Sequence, residues 1–170
     1  MAFEIERRFL VAHDGWREHI QNSTLIRQGF LSIDKDRVVR VRVSGAQAWL
    51  TIKGRVSQCV RREFEYSIPL DDAQTMLDTL CGELVMEKTR YTHQHGDHLW
   101  ELDVFHGVND GLILAEIELS DEHAEFARPD WLGAEVTQDG RYTNAHLSAN
   151  PYRDWSEAER GTVQDGGQSL

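Results

Sequence analysis

Alternation of apolar and charged residues with a period of two dominates the sequence from residue 3 to residue 119, and this period most constrains the fold. Successive side chains of a β-strand point to opposite faces, so the period predicts strands with one apolar and one charged face. Short polar breaks between them favour tight turns, which predicts consecutive hairpins and an antiparallel meander. We predict eight strands, at residues 3–11, 25–32, 37–43, 48–53, 60–68, 85–94, 98–105 and 111–119.

Helical signals are few and lie between or after the strands. Met76, Leu77 and Leu80 follow an acidic first turn at helical spacing, which predicts an amphipathic helix over residues 71–80. We expect a second helix from about residue 120, and loops with a short helix between residues 129 and 152. Residues 1–155 then form one domain, and residues 156–170, rich in Glu, Gly, Gln and Ser, form a disordered tail.

Most charged residues of each strand share one face, with Arg7 as the exception on the first strand. Glu4, Glu6 and Arg8 stand opposite Phe3 and Ile5 on the first strand, and the same division recurs on six further segments. An antiparallel sheet with one solvated face would carry such a pattern. A closed barrel with a charged lumen is favoured because acid pairs and base pairs lie on different strands. The shared faces carry the cations Arg8, Arg40, Arg42, Lys53, Lys88 and Arg90 and the carboxylates Glu4, Glu6, Glu63, Glu65, Asp103, Glu116 and Glu118.

Cations and carboxylates enclosed in one lumen require bound ligands that neutralise both kinds of charge. Buried like charges cost several kcal/mol each unless they are paired or neutralised. Arginine and lysine bind phosphoryl oxygens, whereas carboxylates bind hard divalent ions that bridge to the same phosphates. A linear polyphosphate with Mg²⁺ or Mn²⁺ therefore fits this lumen, and phosphoryl transfer needs mainly positioning and charge neutralisation.

The remaining composition excludes several partners. A net charge of -11 without a basic run argues against nucleic acid and anionic membranes. No apolar run approaches the ~20 residues of a membrane span, so we expect a cytoplasmic protein. Cys59 and Cys81 are expected as free thiols. His93 and His95 lie opposite Lys88 and Arg90 in strand parity and are interpreted as a solvated hairpin tip rather than a metal site.

Several ordered motifs resemble those of one known family. Glu4-Ile5-Glu6-Arg7-Arg8 resembles the amino-terminal Glu-x-Glu-x-Lys signature of the CYTH superfamily, the triphosphate tunnel metalloenzymes. The resemblance covers roughly residues 2–150. It continues through Arg40-x-Arg42, Lys53, Glu63-x-Glu65, Glu87-Lys88-Thr89-Arg90-Tyr91, Glu101-Leu102-Asp103, Glu116-x-Glu118, Trp131-Leu132-Gly133-x-Glu135 and Arg141-Tyr142-x-Asn144.

The resemblance implies a fold, a chemistry and residue roles. It implies a mainly β fold of the α+β class, in which eight antiparallel strands form a tunnel with peripheral helices. It also implies an enzyme that hydrolyses or cyclises triphosphates with Mg²⁺ or Mn²⁺. Glu63 and Glu65 would ligate a second metal or orient the attacking water. The implied metal ligands are Glu4, Glu6, Asp103, Glu116 and Glu118. The implied phosphate-binding residues are Arg8, Arg40, Arg42, Lys53, Lys88 and Arg90, with Arg141 added near a short helix that plugs one tunnel end.

Two residues depart from the family pattern. Arg8 replaces the signature lysine, and a planar guanidinium is not equivalent to a compact ammonium. Phe30 stands where related small bacterial tripolyphosphatases carry a tyrosine proposed to activate water, so Glu63 or Glu65 is expected to orient a metal-bound water instead.

The sequence thus predicts a triphosphatase for inorganic tripolyphosphate or a nucleoside or thiamine triphosphate, acting as a monomer or homodimer on a small molecule. The alternatives are a CYTH-type adenylate cyclase and a noncatalytic polyphosphate-binding module.

Overall fold

Eight antiparallel strands close into a barrel in the computed structural model, which describes residues 1–164. Neighbours around the barrel are β1-β5-β4-β3-β2-β6-β7-β8, and β8 returns to β1. The predicted barrel and mainly β class are confirmed, and the predicted strand ends differ by at most a few residues. The strands are β1 (Ala2–Val11), β2 (Asn22–Ser32), β3 (Val38–Ser44), β4 (Gln47–Arg55), β5 (Val60–Ser67), β6 (Val85–His95), β7 (His98–Phe105) and β8 (Ile113–Glu118).

β1 closes the barrel by pairing with two strands that are distant in sequence. Its first residues pair with β5, in the register Ala2↔Glu63, and its later residues pair with β8, in the register Arg8↔Glu116. A short strand that the sequence did not predict, β9 (Leu132–Glu135), pairs with the end of β1. The first strand therefore places its charged face beside two other charged faces.

The apolar core lies on the outside of the barrel. Helix α1 (Leu70–Thr79) packs Ala73 and Leu77 against Val41 and Ala48. The approach is close at Gly29, where an added Cβ would lie 2.9 Å from Cys81 Sγ and 2.9 Å from Leu77 Cδ2. Two further clusters cover other outer faces; one joins Phe9, Trp16, Trp100, Leu102, Ile117 and Trp131, and the other joins Phe105, Leu114, Tyr142, Leu147, Tyr152 and Trp155. Because apolar faces point outward, the charged faces share the lumen, as predicted.

The expectation of a helix near residue 120 was wrong. Asp121 closes a local turn instead, since its carboxylate accepts a hydrogen bond from the His123 backbone N–H at 2.7 Å and its carbonyl accepts one from Ala124. Aspartate competes in this way with helical hydrogen bonding. A short helix, α2 (Asn144–Ala149), does lie in the region where one was expected.

The carboxyl-terminal segment contains a short helix. Helix α3 (Glu157–Gln164) occupies part of the predicted disordered tail. Ser156 and Glu159 form a reciprocal capping box, at 3.1 and 3.2 Å, that satisfies the first free N–H groups of the helix. Residues 165–170 lie outside the described part of the chain, and the disordered tail stays a prediction. The domain boundary at residue 155 stays a prediction.

The histidine-rich hairpin is only partly solvated. His93 is buried, with its ring 5.5 Å from that of Trp131 and 5.7 Å from that of His19. The solvated-tip interpretation was wrong for His93, because the 3₁₀ turn Asp14–His19 and the loop before β9 cover it. Cys59 and Cys81 are free, as expected. Within residues 1–164, no helix has the length and apolar character required to span a membrane.

Candidate functional site

The barrel lumen is a cavity of about 780 Å³ that is lined mainly by charged and polar side chains, and each of the eight strands contributes at least one lining residue. Strand parity brings these residues together, because positions two apart on one strand face the same side. The predicted site residues that line the cavity are Glu4, Glu6, Arg8, Arg40, Arg42, Lys53, Glu63, Glu65, Lys88, Arg90, Glu116, Glu118 and Arg141. The one predicted site residue that does not line it is Asp103.

Carboxylates of β1, β7 and β8 crowd one part of the lumen. Glu6 lies directly opposite Glu118 across the β1–β8 ladder, and Glu101 lies opposite Glu116 across β7–β8. Like charges at such positions repel one another. Burial, followed by the charge of Glu6, raises the pKa of Glu116, and burial, followed by Glu4, raises the pKa of Glu118. A cation bound among these carboxylates would relieve the repulsion.

Arg8 lies between two of these carboxylates. One Nη of Arg8 donates to Glu6 Oε1 at 3.0 Å, and its Nε lies 3.6 Å from Glu116 Oε1. Burial and Glu4 act to raise the pKa of Glu6, but Lys53, Arg8 and a hydrogen bond with Glu116 together outweigh them, so the pKa of Glu6 is lowered. Arg8 thus holds Glu6 ionised and competes with any metal for both carboxylates.

The arginines of β3 form a cationic region in which Arg40 has one carboxylate partner, with its Nη 3.7 Å from Glu65 Oε2, and Arg42 is less compensated. Arg42 Nε donates to Gln28 Oε1 at 3.1 Å, and no carboxylate of the described chain lies within 4.0 Å of the Arg42 guanidinium. Burial, followed by the charges of Arg40 and Arg90, lowers the pKa of Arg42 to about 9. Burial, followed by Arg90, also lowers the pKa of Arg40. Arginine resists deprotonation, so a bound anion would reduce the repulsion between these guanidinium groups.

Asp103 is fully buried behind the cavity wall and is shared by two cations. Lys88 Nζ donates to Asp103 Oδ2 at 2.6 Å, and Arg90 donates to both oxygens at 2.8 and 2.9 Å. Burial acts against ionisation of Asp103, but Arg90 and Lys88 more than offset it and hold its pKa well below the ordinary value. Both Asp103 oxygens thus accept hydrogen bonds from Lys88 and Arg90, and the role of metal ligand stays a prediction.

The two predicted catalytic carboxylates lie on β5. Lys53 Nζ donates to Glu4 Oε2 at 2.6 Å and lies 3.4 Å from Glu63 Oε2. The Thr51 hydroxyl donates to Glu65 Oε2 at 2.7 Å. Glu63 and Glu65 line the cavity, and these contacts use only the Oε2 atom of each, so both side chains can accept further hydrogen bonds.

Glu101 is a site residue that the sequence reasoning missed. It lines the cavity, and its Oε2 lies 2.7 Å from an Nη of Arg90. The signal was present, because Glu101 and Asp103 lie two apart on β7 and share strand parity.

The α2 segment contributes a second missed residue, Asn144, whose Oδ1 accepts hydrogen bonds from Lys88 and Gln28. Arg141, just before α2, is held by Asp139 in a bidentate pair at 2.7 and 3.0 Å. Strand parity carried no signal for Asn144, since it enters the site from outside the barrel strands.

Phe30 is buried and contributes to the cavity wall. Its ring offers no hydroxyl to a bound ligand, so any hydrogen-bond acceptor for water must come from another lumen residue.

Metal binding is tested by the chemistry of the donors. The structure contains no preassembled group of three or more His, Cys, Asp or Glu side chains poised as ligands within its described residues. The repelled carboxylates Glu4, Glu6, Glu116 and Glu118 nevertheless supply only oxygen donors, which suits a hard divalent ion. The donor set fits such an ion once Lys53 and Arg8 share these carboxylates with it.

Fold and site together define a tunnel protein whose ionisable side chains lie inside an antiparallel barrel. A model of the CYTH domain matches residues 2–146, and the chain belongs to this family. The resemblance noted from its motifs is confirmed.

Similarity to individual proteins is also high. The inorganic triphosphatase of Acetivibrio thermocellus is 46% identical over 157 residues, which cover 92% of this chain and all of that protein. The inorganic triphosphatase of Nitrosomonas europaea is 38% identical and covers 85% of this chain and 96% of its own length. A crystal structure of the inorganic triphosphatase NE1496 superposes with a TM-score of 0.62 at 35% identity and covers 87% of this chain and 95% of that one.

More distant structures share the fold alone. The PH1012 protein of Pyrococcus horikoshii gives a TM-score of 0.56 at 16% identity, covering 70% of this chain and 80% of its own.

Proposed function

We propose that this protein is a divalent-metal-dependent triphosphatase that hydrolyses inorganic tripolyphosphate inside the barrel. The observation that carries the proposal is the division of one lumen into under-compensated arginines and mutually repelling carboxylates. A polyphosphate supplies the negative charge that the first group lacks, and a divalent ion supplies the positive charge that the second lacks. The names of the relatives that are 46% and 38% identical support the same reaction.

Phosphate binding falls to the cations in this proposal. Arg40 and Arg42 present planar guanidinium forks, which suit the oxygens of consecutive phosphoryl groups. The Lys88 ammonium has three donors, of which Asp103 and Asn144 take two, so one remains for a phosphate oxygen. The further phosphate-binding residues are Arg8, Lys53, Arg90 and Arg141.

Metal binding falls to Glu4, Glu6, Glu116 and Glu118, with Mg²⁺ or Mn²⁺ as the ion. Such an ion neutralises phosphate charge and makes water more acidic. Asp103 instead serves as the residue that orients Lys88 and Arg90.

Glu63 and Glu65 are the proposed catalytic residues. They accept hydrogen bonds from the attacking water, align it with the terminal phosphorus and receive its proton. The rigid β4–β5 ladder fixes them through the cross-strand pairs Lys53↔Glu63 and Thr51↔Glu65. Alignment of this kind accounts for much of the catalysis of phosphoryl transfer.

We also propose a cytoplasmic location, in keeping with the free thiols of Cys59 and Cys81.

A substrate panel with product analysis tests the proposal. Tripolyphosphate, ATP and thiamine triphosphate are each incubated with Mg²⁺, with Mn²⁺ and with excess EDTA. The expected result is orthophosphate release from tripolyphosphate that EDTA abolishes. Cyclic AMP and pyrophosphate from ATP would indicate a cyclase instead. A melting temperature raised by tripolyphosphate, without product under any condition, would indicate a noncatalytic binding module.

A further inference from the structure

A continuous hydrogen-bonded chain joins α2 to two cations and one glutamine on three strands. Asn144, the first residue of α2, accepts hydrogen bonds at Oδ1 from Lys88 Nζ at 2.8 Å and from Gln28 Nε2 at 2.6 Å. Gln28 is fully buried, and its Oε1 accepts from Arg42 Nε at 3.1 Å. The chain therefore runs from Arg42 of β3 through Gln28 of β2 and Asn144 to Lys88 of β6.

Donor and acceptor chemistry allows this chain only one orientation. Lysine and arginine side chains carry donors alone, so the atoms facing Lys88 and Arg42 must be oxygens. Gln28 consequently turns its amide oxygen to Arg42 and its amide nitrogen to Asn144. Asn144 can satisfy both Lys88 and Gln28 only through its carbonyl oxygen. A reversal of either amide would leave two buried donors facing each other, which costs about 1–3 kcal/mol per unsatisfied group.

The chain also directs the unused donors of its two cations toward the cavity. Gln28 takes the Nε–H of Arg42 and leaves its terminal N–H groups free of carboxylate partners in the described chain. Asn144 and Asp103 take two of the three Lys88 donors. Both cations line the lumen.

We propose that Asn144 is a positioning residue that couples the seating of α2 to anion binding by Arg42 and Lys88. When α2 is seated, the two cations are pre-oriented for phosphate, and bound phosphate in turn holds the chain and α2 in place. The inference rests on the proposed function for the identity of the anion. It adds a residue from outside the barrel strands that sets the affinity of the phosphate site.

Hydrogen–deuterium exchange of residues 143–150 provides the first test. Exchange is measured with and without saturating tripolyphosphate in EDTA, so that no turnover is required. Wild-type protein should show slower exchange in this segment when tripolyphosphate is present, because ligand and α2 stabilise each other. The Asn144→Ala variant should still bind tripolyphosphate in calorimetry, yet show no slowing. Slowing of equal size in Asn144→Ala, or no slowing in the wild type, would overturn the coupling.

Steady-state kinetics provides the second test, with Asn150→Ala as the matched control. Asn150 is the C-cap residue of the same helix, and within the described residues the one hydrogen bond of its side chain joins Asn150 Nδ2 and His146 Nε2 at 3.3 Å. Asn144→Ala should lower kcat/KM for tripolyphosphate by about ten- to a hundredfold, the scale expected for misplaced binding groups, whereas Asn150→Ala should not. Asn144→Asp keeps both acceptor contacts but adds negative charge beside the phosphate site, so it should raise KM without lowering the melting temperature.

The outcomes separate this inference from the proposed function. A wild-type protein that releases no orthophosphate from tripolyphosphate counts against the proposed function, whereas the exchange test does not require hydrolysis. An active wild type, with Asn144→Ala unchanged in KM and kcat but lower in melting temperature, assigns Asn144 a purely structural role and overturns the inference.

Discussion

Replacement of Asp103 by asparagine tests whether this carboxylate is a metal ligand or a support for the lumen cations. The substitution is nearly isosteric but removes the charge shared by Lys88 and Arg90. A metal ligand would be repelled by neighbouring carboxylates, so its neutralisation would leave the metal-free protein as stable or more stable. A counter-ion for buried cations stabilises the metal-free protein, so its neutralisation would lower that stability.

The structure supports a large loss of stability. Asp103 has no exposed surface and Lys88 is 1% exposed, so solvent cannot replace the lost charge. Removal of one partner from a buried ion pair costs about 3–5 kcal/mol. For a chain of this size each kcal/mol lowers the melting temperature by about 2–4 °C, which gives a decrease of roughly 6–20 °C.

Thermal unfolding in EDTA, followed by circular dichroism, measures this change. Glu116→Gln is the matched control, because burial and Glu6 raise the pKa of Glu116 and its neutralisation relieves repulsion. We expect Asp103→Asn to melt well below the wild type and Glu116→Gln to melt at the same temperature or above. Tripolyphosphate should stabilise Asp103→Asn more than the wild type, because it supplies negative charge to the cations that have lost their carboxylate. An Asp103→Asn variant as stable as the wild type would refute this reasoning.

Three further predictions concern the metal and its ligands. Glu116→Gln should lower metal-dependent orthophosphate release by roughly 100-fold or more while circular dichroism shows an intact fold, and full activity would remove Glu116 from the ligand set. Arg8→Lys should lower the half-saturating metal concentration by about tenfold, the scale of one charge-assisted hydrogen bond. The reason is that a lysine contacts only one of the two carboxylates that Arg8 now contacts. A metal titration of activity that does not shift would contradict this prediction. Metal affinity measured by calorimetry should fall as pH decreases through the raised pKa values of Glu116 and Glu118, because metal ions and protons compete for the ionised carboxylates. This dependence of metal affinity on pH should weaken in Glu116→Gln.

The stability of the metal-free protein should depend on pH in two opposite ways. The pKa of Asp103 is depressed, so its contribution is present above the unfolded value of about 3.9 and is lost as pH falls. The pKa of Glu116 is raised, so its contribution favours the fold at acidic pH and is lost as pH rises above the unfolded value of about 4.3. Melting curves of the Asp103→Asn and Glu116→Gln variants across pH separate the two effects.

Strand parity predicted which charges share the lumen, because alternation is a local property of β-strands. Glu6, Arg42 and Lys88 lie on the lumen wall for this reason. Parity assigns a side chain to a face but not to a partner. Asp103 has lumen parity, yet its contacts with Lys88 and Arg90 leave it buried behind the wall, and only the three-dimensional distances reveal this.

Features that depend on non-local or side-chain-to-backbone bonds were predicted poorly. The turn at Asp121 and the capping box of Ser156 and Glu159 each rest on a few specific hydrogen bonds that average propensities do not capture. Asn144 reaches Lys88 across 56 positions of sequence. Composition and alternation carry no information about such a contact.

The outward-facing core separates the residues that pack the barrel from those that line its lumen. Apolar packing around Val41, Trp100 and Leu114 maintains the shape of the barrel, whereas the lumen residues contribute little to that packing. A substitution in the lumen can therefore change which anion the barrel binds while the shape of the barrel is retained. Evolution and protein engineering can both vary the side chains of such a lumen, provided that each change preserves the balance of charge inside it.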